Sequence, residues 1–146
     1  MAIEFYSTRG PHGCFSNFSR HPITIDGETW PTTAHYFQAM KFPDDADRRA
    51  RIRTAKTAAD CKKVAWEKGV PIRADWDTHR LEVMRVALRA KFTQHDDARE
   101  TLLGTGDEEL VEHTSKDRYW GDGGDGRGQN MLGKMLMELR DALRNE

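Results

Sequence analysis

The chain has 146 residues, a length typical of one domain, with 37% hydrophobic and 32% charged residues. Its 23 basic and 24 acidic residues give a net charge of -1, which argues against broad, nonspecific binding of nucleic acid. No apolar run approaches the roughly 20 residues needed to cross a bilayer, and the N-terminus lacks the features of a signal peptide. We therefore expect a single domain over residues 1–146, cytoplasmic (or nuclear in a eukaryote), with no membrane partner.

The first half of the chain predicts a strand, a hairpin and three helices. Asp26-Gly27 suits the positive φ angles of a two-residue hairpin turn within residues 22–30. Thr32 or Thr33 is the expected N-cap of the next helix. The remaining expectations are a short strand ending at Phe5-Tyr6, a first helix running to about Phe42 before Pro43, and helical stretches near residues 44–56 and 57–68.

The second half contains two apolar stripes with helical spacing. The stripes are Leu81, Met84, Leu88 and Phe92, and then Leu132, Met135, Leu136, Leu139 and Leu143. Both are typical of helix faces that pack into a core. Residues 110–113 fit either a strand or a helical turn. These patterns together predict a helix-dominated α+β domain with a small antiparallel sheet that includes the N-terminal hairpin.

A glycine-rich loop precedes the last helical stripe. Residues 121–126 match GxGxxG, but only one helix follows, so the dinucleotide-binding βαβ unit is excluded. Exposed amides of Gly121, Gly123 and Gly124, together with Arg127, could instead receive a phosphate. The adjacent pair Tyr119-Trp120 offers a stacking surface for a base or sugar. A flexible turn between elements is the alternative interpretation.

The helix expected over residues 33–42 has an unusual polar face. At 100° per residue, Ala34, Gln38 and Lys41 share one side of the helix. The surrounding aromatic residues are Trp30, Tyr36, Phe37 and Phe42. Polar groups among such neighbours suit the wall of a polar pocket, and a solvent-facing surface is the alternative.

Basic residues crowd residues 48–56, followed by Lys62-Lys63. This run is either a solvated helix face or a rim that meets phosphates. The six histidines and two cysteines are scattered, without the paired spacing of a zinc site, so we expect no metal.

Taken together, these segments resemble the YbiA/NADAR family of N-glycosidases, in the family's order and over nearly the whole chain. The matching segments are residues 15–18, 25–32, 35–42, 84–92, 110–114, 119–124, 130–133 and 136–140. The resemblance implies hydrolysis of N-glycosidic bonds, either in ribosylamino intermediates of riboflavin synthesis or between ADP-ribose and guanine in modified nucleic acid. It also implies that the site is lined by Asn17, Phe18, Trp30, Lys41, Trp120, Asp122 and Asn130.

The chain departs from the family pattern at Ala34, where the family typically has glutamate. We interpret the alanine as a substitution that traps a ligand, with a natural, binding-only relative as the alternative. The resemblance implies that a glutamate at this position would be the catalytic acid, and Asp122 is the remaining candidate acid or a ligand for ribose hydroxyls. Lys41 would either pair with the acid or form a Schiff base with an opened ribose.

These interpretations lead to one principal hypothesis and two alternatives. The principal hypothesis is removal of ADP-ribose from ADP-ribosylated guanine, by a chain impaired at Ala34 and without any cofactor. The expected partners are ADP-ribose or ADP-ribosylated guanosine, with modified DNA or RNA as a further substrate. The alternatives are an N-glycosidase of riboflavin intermediates and a non-catalytic module that binds ADP-ribose.

Overall fold

The computed structural model describes residues 2–146, so residue 1 of the expected domain lies outside it. The strands are β1 (Ala2–Phe5), β2 (Ile23–Ile25), β3 (Glu28–Trp30) and β4 (Glu109–Glu112), and a 3₁₀ turn spans Gly13–Phe15. The helices are α1 (Thr33–Ala39), α2 (Ala46–Arg53), α3 (Ala58–Ala65), α4 (Trp76–Gln94), α5 (Asp96–Gly104) and α6 (Met131–Arg144).

The chain divides into two units. The terminal unit comprises the residues up to Ser19 together with His95–Glu146, and the central unit comprises Arg20–Gln94. The central unit therefore holds β2, β3 and the first four helices, whereas the terminal unit holds β1, β4, α5 and α6.

The central unit begins with the predicted hairpin. Strand β2 pairs antiparallel with β3, with Ile23 opposite Trp30. Asp26 and Gly27 both have positive φ, 52° and 82°, as the two-residue turn requires. Thr32 is the N-cap of α1, and its hydroxyl accepts a hydrogen bond from the backbone N–H of His35.

Helix α1 ends at Ala39, three residues before the predicted end. The N–H groups of Lys41 and Phe42 bond to the carbonyls of Gln38 and Ala39, so the chain continues as a tightened 3₁₀-type turn. Pro43 disfavours α-helical geometry in Phe42, so the helix cannot extend past this turn. Lys41 consequently lies in the turn beyond α1, and the prediction that it belongs to the helix was wrong.

A buried histidine ties α1 to the end of α2. The ring of His35 contacts the Thr32 hydroxyl at 2.7 Å and the carbonyl oxygen of Ala55 at 3.0 Å. Burial is the main cause that lowers the pKa of His35, so the ring stays neutral near neutral pH. This neutral ring fixes the first turn of α1, which carries Ala34.

The terminal unit is built on a parallel strand pair. Strand β1 runs parallel to β4, with Ile3 opposite Leu110, so residues 110–113 begin as a strand and this second sheet is not antiparallel. Helix α6 packs on β4 through the predicted apolar stripe, of which Leu132 and Leu136 are fully buried. The amide of Asn130 fixes this packing, because it accepts a hydrogen bond from the Glu112 N–H and donates one to the Leu110 carbonyl.

The helix-dominated α+β class and the hairpin are thus confirmed, and α5 is an additional helix that the sequence did not indicate. Every helix within residues 2–146 is too short or too polar to cross a membrane.

A close approach between α6 and β4 gives a stability prediction. A Cβ at Gly133 would overlap the Leu110 carbonyl and the Asn130 amide, whereas a Cβ at Gly104 of α5 would meet no atom. We expect Gly133→Ala to lower the free energy of unfolding by about 1–3 kcal/mol through overpacking. Gly104→Ala should leave it unchanged or raise it by about 0.4–1 kcal/mol. Urea unfolding followed by circular dichroism measures both, and equal stabilities of the two variants would contradict the packing described.

Candidate active site

Lys41 lies against three aromatic rings of the central unit. Its Nζ is 5.9 Å from the ring centroid of Phe37, 5.5 Å from that of Trp66 and 5.9 Å from that of Trp76. These distances fall in the range of cation–π contacts. We call Lys41, Phe37, Trp66 and Trp76 the lysine cage.

Three elements hold the cage together. Phe37 is on α1 and Trp76 begins α4, and their rings meet edge to face with centroids 4.9 Å apart. The carbonyl of Lys41 accepts a hydrogen bond of 2.9 Å from the N–H of Arg73, so the turn after α1 is fixed to the segment that leads into α4. Trp66 follows α3 as its C-cap residue.

The cage perturbs the acid–base behaviour of Lys41. Burial among the rings, assisted by the positive charge of Lys62, lowers the pKa of Lys41 to about 8. Burial also raises the pKa of the adjacent Cys61 thiol to about 12, so this cysteine stays neutral and gives Lys41 no counter-ion. With a pKa of about 8, Lys41 is the unprotonated amine in about a tenth of the molecules at pH 7. An unprotonated amine is a nucleophile toward carbonyl and anomeric carbons.

Ala34 and Gln38 lie one helical turn apart on α1, and both are buried, with 5% and 6% of their surface exposed. The side-chain oxygen of Gln38 is inaccessible to solvent and has no hydrogen-bond donor within residues 2–146. Leaving a buried acceptor unpaired typically costs about 1–3 kcal/mol. The Gln38 oxygen is therefore a buried acceptor without a donor among the described residues.

Trp30, which the family resemblance implies lines the site, is a buried residue. Only 1% of the residue is exposed, and its ring packs edge to face on Tyr36 with centroids 5.7 Å apart. Its Nε1 is buried without a hydrogen-bond acceptor in the described part of the chain. Trp30 thus packs against α1 through its contact with Tyr36.

In the terminal unit, Asp122 organises the glycine-rich loop. Its carboxylate accepts hydrogen bonds from His113 Nδ1 at 2.8 Å, from the Thr114 N–H at 3.1 Å and from the Gly124 N–H at 2.8 Å. The hydrogen bond from His113 is the main cause that lowers the pKa of Asp122, and the same bond raises the pKa of His113. An ionised carboxylate with three donors is suited to holding a loop in shape.

The glycines of this loop serve its own folding. Gly123 and Gly124 have φ angles of 76° and 84°, and their N–H groups donate to the Asp117 carbonyl and to Asp122. Gly121 is buried where a side chain would overlap the carbonyl of Asp117. The amides of Gly123 and Gly124, predicted to receive a phosphate, therefore already have acceptors within the loop.

The other predicted ligand contacts of the terminal unit occupy varied positions. The rings of Tyr119 and Trp120 pack edge to face with centroids 4.9 Å apart. The backbone N–H groups of both residues donate to the carboxylate of Asp117. Asn130 uses its amide on β4, as described above. Arg127 is exposed, Asn17 is half-buried, and Phe18 is 40% exposed in the loop after the 3₁₀ turn.

Glu4, His113 and Asp122 each direct one potential metal-ligating atom to a common point, with these atoms within 4.8 Å of one another. Asp122 already accepts three hydrogen bonds there, and Glu4 and His113 are exposed. The contact of 2.8 Å between His113 and Asp122 accounts for the arrangement as an ion pair.

The arginine-rich run is engaged in ion pairs. Arg48 and Arg51 both contact Glu67, at 2.6 Å and 2.9 Å, which lowers the pKa of Glu67 to about 2. Arg49 and Arg53 both contact Glu28 at 3.2 Å. These arginines join α2 to the end of α3 and to the hairpin, so their pairing favours the structural interpretation over a phosphate-binding rim.

Comparison with known proteins identifies the chain's relatives. Residues 4–144 match the NADAR domain, and this match spans both units. The chain belongs to the NADAR family. The N-glycosidase YbiA of Escherichia coli is 50% identical over 141 residues, which cover 97% of this chain and 88% of that protein. The resemblance found in the sequence motifs is thereby confirmed.

Two further comparisons bear on the NADAR assignment. The NMR structure of E. coli YbiA superimposes with a TM-score of 0.91 at 48% identity, covering 99% of this chain and 86% of that one. A riboflavin biosynthesis protein of Vibrio vulnificus is 44% identical over 97% of this chain, but the match covers only 38% of that longer protein.

Sequence reasoning singled out Lys41 and Phe37 but not the two tryptophans of the cage. Trp66 and Trp76 are 25 and 35 positions from Lys41 in the sequence, and Trp66 stands in a charged stretch without periodicity. A tryptophan that remains exposed at a helix end was the available signal, and it becomes informative only when its neighbour is known.

The perturbed amine can be tested directly. We expect Lys41 to titrate near pH 8, well below the value of about 10.4 of a lysine in a model peptide. NMR titration of lysine Cε resonances, assigned with a Lys41→Arg variant, measures this difference. Below pH 8 the Lys41 signal should shift to the ammonium position, and a midpoint above pH 10 would contradict the desolvation described.

Proposed function

We propose that this NADAR domain is an N-glycosidase that hydrolyses the bond between a ribose and a nucleobase, with Lys41 as the catalytic nucleophile. The observation that carries the proposal is an amine with a pKa of about 8, held in a cage of three aromatic rings. The N-glycosidase name of its E. coli relative supports the reaction class.

The proposed reaction passes through a covalent adduct. The unprotonated Nζ of Lys41 attacks C1′ of the ribose, and the base leaves with the electron pair of the C1′–N bond and takes up a proton. Opening of the ribose ring, with a proton transferred to its ring oxygen, converts the adduct to an imine. Water then adds at C1′, which releases the free sugar and regenerates the Lys41 amine. The atoms balance as one water consumed per bond cleaved.

We propose ADP-ribosylated guanine as the substrate, in free nucleoside or nucleic acid. Attack by Lys41 requires a ribosyl carbon bonded to a good leaving group, and a purine that accepts a proton is one. The second candidate is a ribosylamino intermediate of riboflavin synthesis, and the riboflavin-related name of the Vibrio relative supports it. Both substrates present the same C1′–N bond to Lys41, so the chemistry of the cage is common to them.

Ala34 is proposed to impair this chain. The unpaired oxygen of Gln38 lies at position i+4 from Ala34, the spacing at which helical side chains meet. A longer polar side chain at residue 34, such as a protonated carboxyl, would donate a hydrogen bond to that oxygen. An orphaned acceptor beside an alanine is what truncation of such a partner leaves behind. A binding module without catalysis is the function that remains if no acid is needed here.

We expect Ala34→Glu to raise the rate of N-glycosidic cleavage by about 10²–10⁴, the usual contribution of one acid–base group. The first turn of α1 contains no acidic residue in this chain, so the introduced carboxyl would be the only acid on that turn. Ala34→Gln is the matched control, since it restores size and a donor to Gln38 without a carboxyl group. The assay measures release of ADP-ribose from ADP-ribosylated guanosine, with the riboflavin ribosylamine in parallel.

Cleavage by Ala34→Glu but not by Ala34→Gln supports the enzyme, and the substrate that reacts faster identifies its class. Two inactive variants of native stability that still bind ADP-ribose would contradict the enzyme and favour the binding module.

A further inference from the structure

Trp66 forms the outer wall of the lysine cage. It is 69% exposed, whereas the other two rings, Phe37 and Trp76, are 8% and 6% exposed. Its backbone N–H donates to the Lys62 carbonyl at 2.9 Å, which fixes the backbone at the end of α3. The indole centroid lies 5.5 Å from Lys41 Nζ and 5.7 Å from Lys62 Nζ. A large aromatic surface therefore lies beside Lys41 and is open to solvent.

We infer that Trp66 is a specificity-determining residue that stacks on the base of the substrate while Lys41 meets its C1′. This inference rests on the proposed function. A nucleobase is bonded directly to C1′, so its ring must lie beside the nitrogen that attacks that carbon. The Trp66 centroid is 5.5 Å from Lys41 Nζ, and offset-stacked rings have centroids about 4.5–7 Å apart. A base at C1′ therefore falls within stacking distance of the indole.

The charges beside Trp66 suit a departing base. Lys62 Nζ lies 5.7 Å from the centroid of the same indole, so a second lysine, which takes no part in the covalent step, places a positive charge beside the ring. The base takes an electron pair when the C1′–N bond breaks, and nearby positive charge stabilises that negative charge. The ligand class that this surface favours is a planar aromatic base, such as guanine, over an aliphatic or hydroxyl leaving group.

The surroundings of Trp66 do not form a protein-docking face. Its neighbours in sequence, Lys62, Lys63, Glu67 and Lys68, are charged and exposed. Ile72 is the other large hydrophobic residue exposed in the central unit, at 44%. A single aromatic ring with a charged rim suits base stacking, since protein interfaces require a contiguous apolar patch.

Binding measured on the chain and on variants that all retain Ala34 tests the inference without any turnover. The probes are ADP-ribosylated guanosine, which carries guanine at the C1′ that meets Lys41, and ADP-ribose, which has a hydroxyl group there, and calorimetry gives both affinities. We expect Trp66→Ala to weaken binding of ADP-ribosylated guanosine by about 10- to 100-fold, the usual loss when one stacking partner is removed. Binding of ADP-ribose should change by less than about twofold, because it has no base at the C1′ that meets Lys41 and its adenine lies at the far end of the diphosphate. Trp66→Phe should recover most of the loss, and Ile72→Ala, a matched exposed hydrophobic residue, should have no effect.

An unchanged affinity for the base-bearing probe in Trp66→Ala, or an equal loss for both probes, would overturn the inference. The equal loss would mean that Trp66 supports the cage and not the base. These outcomes are separate from the fate of the proposed function. Failure of Ala34→Glu to cleave any ribosyl substrate, with selective loss of the base-bearing probe in Trp66→Ala, would remove the catalysis and retain the stacking residue.

Discussion

The partial burial of the Lys41 ammonium group is the physical constraint on which the candidate site depends. Lys41 lies beyond the regular part of α1, because the residues after Ala39 tighten into a 3₁₀-type turn before Pro43. The turn places the amine among rings that come from α1, the end of α3 and the start of α4. Cation–π contacts offset part of the loss of hydration, and the remainder appears as a pKa of about 8.

The remaining elements of the central unit hold this cage in place. The neutral His35 anchors the first turn of α1, and the bond between Arg73 and Lys41 anchors the turn after it. The arginines of α2 pair with Glu67 and Glu28 and so fix the neighbouring segments. The charged residues that resemble a phosphate-binding rim are thus engaged in ion pairs between α2 and its neighbouring segments.

In the terminal unit too, residues that were predicted to bind a ligand make hydrogen bonds within the fold. Asp122, Asn130 and the loop glycines have hydrogen-bonding roles within their own unit. Their predicted contacts with a ligand stay predictions. A carboxylate that is ionised and held by three donors would be a poor proton donor, which favours a binding role over an acid role for Asp122.

The sequence was informative where local rules decide the structure. The Asp26-Gly27 turn, the Thr32 cap and the α6 stripe depend on neighbouring residues, and all were predictable. The pairing of β1 with β4 joins residues about a hundred positions apart, so no local signal specifies its parallel direction. Family motifs identified Lys41, whereas the contribution of Trp66 depends on a contact between α3 and the turn after α1, which spacing alone does not reveal.

The central claim is that Lys41 is a nucleophile placed at the anomeric carbon of a bound ribose. Free ADP-ribose opens to an aldehyde, so it can form an imine with an amine, and cyanoborohydride fixes that imine as a stable adduct. The direct measurement is peptide mass spectrometry of the unchanged chain after brief exposure to ADP-ribose and cyanoborohydride at pH 7. The account predicts an adduct on Lys41 before any appears on the exposed Lys63, and its loss in Lys41→Arg. Modification of Lys41 no faster than Lys63 would contradict the account.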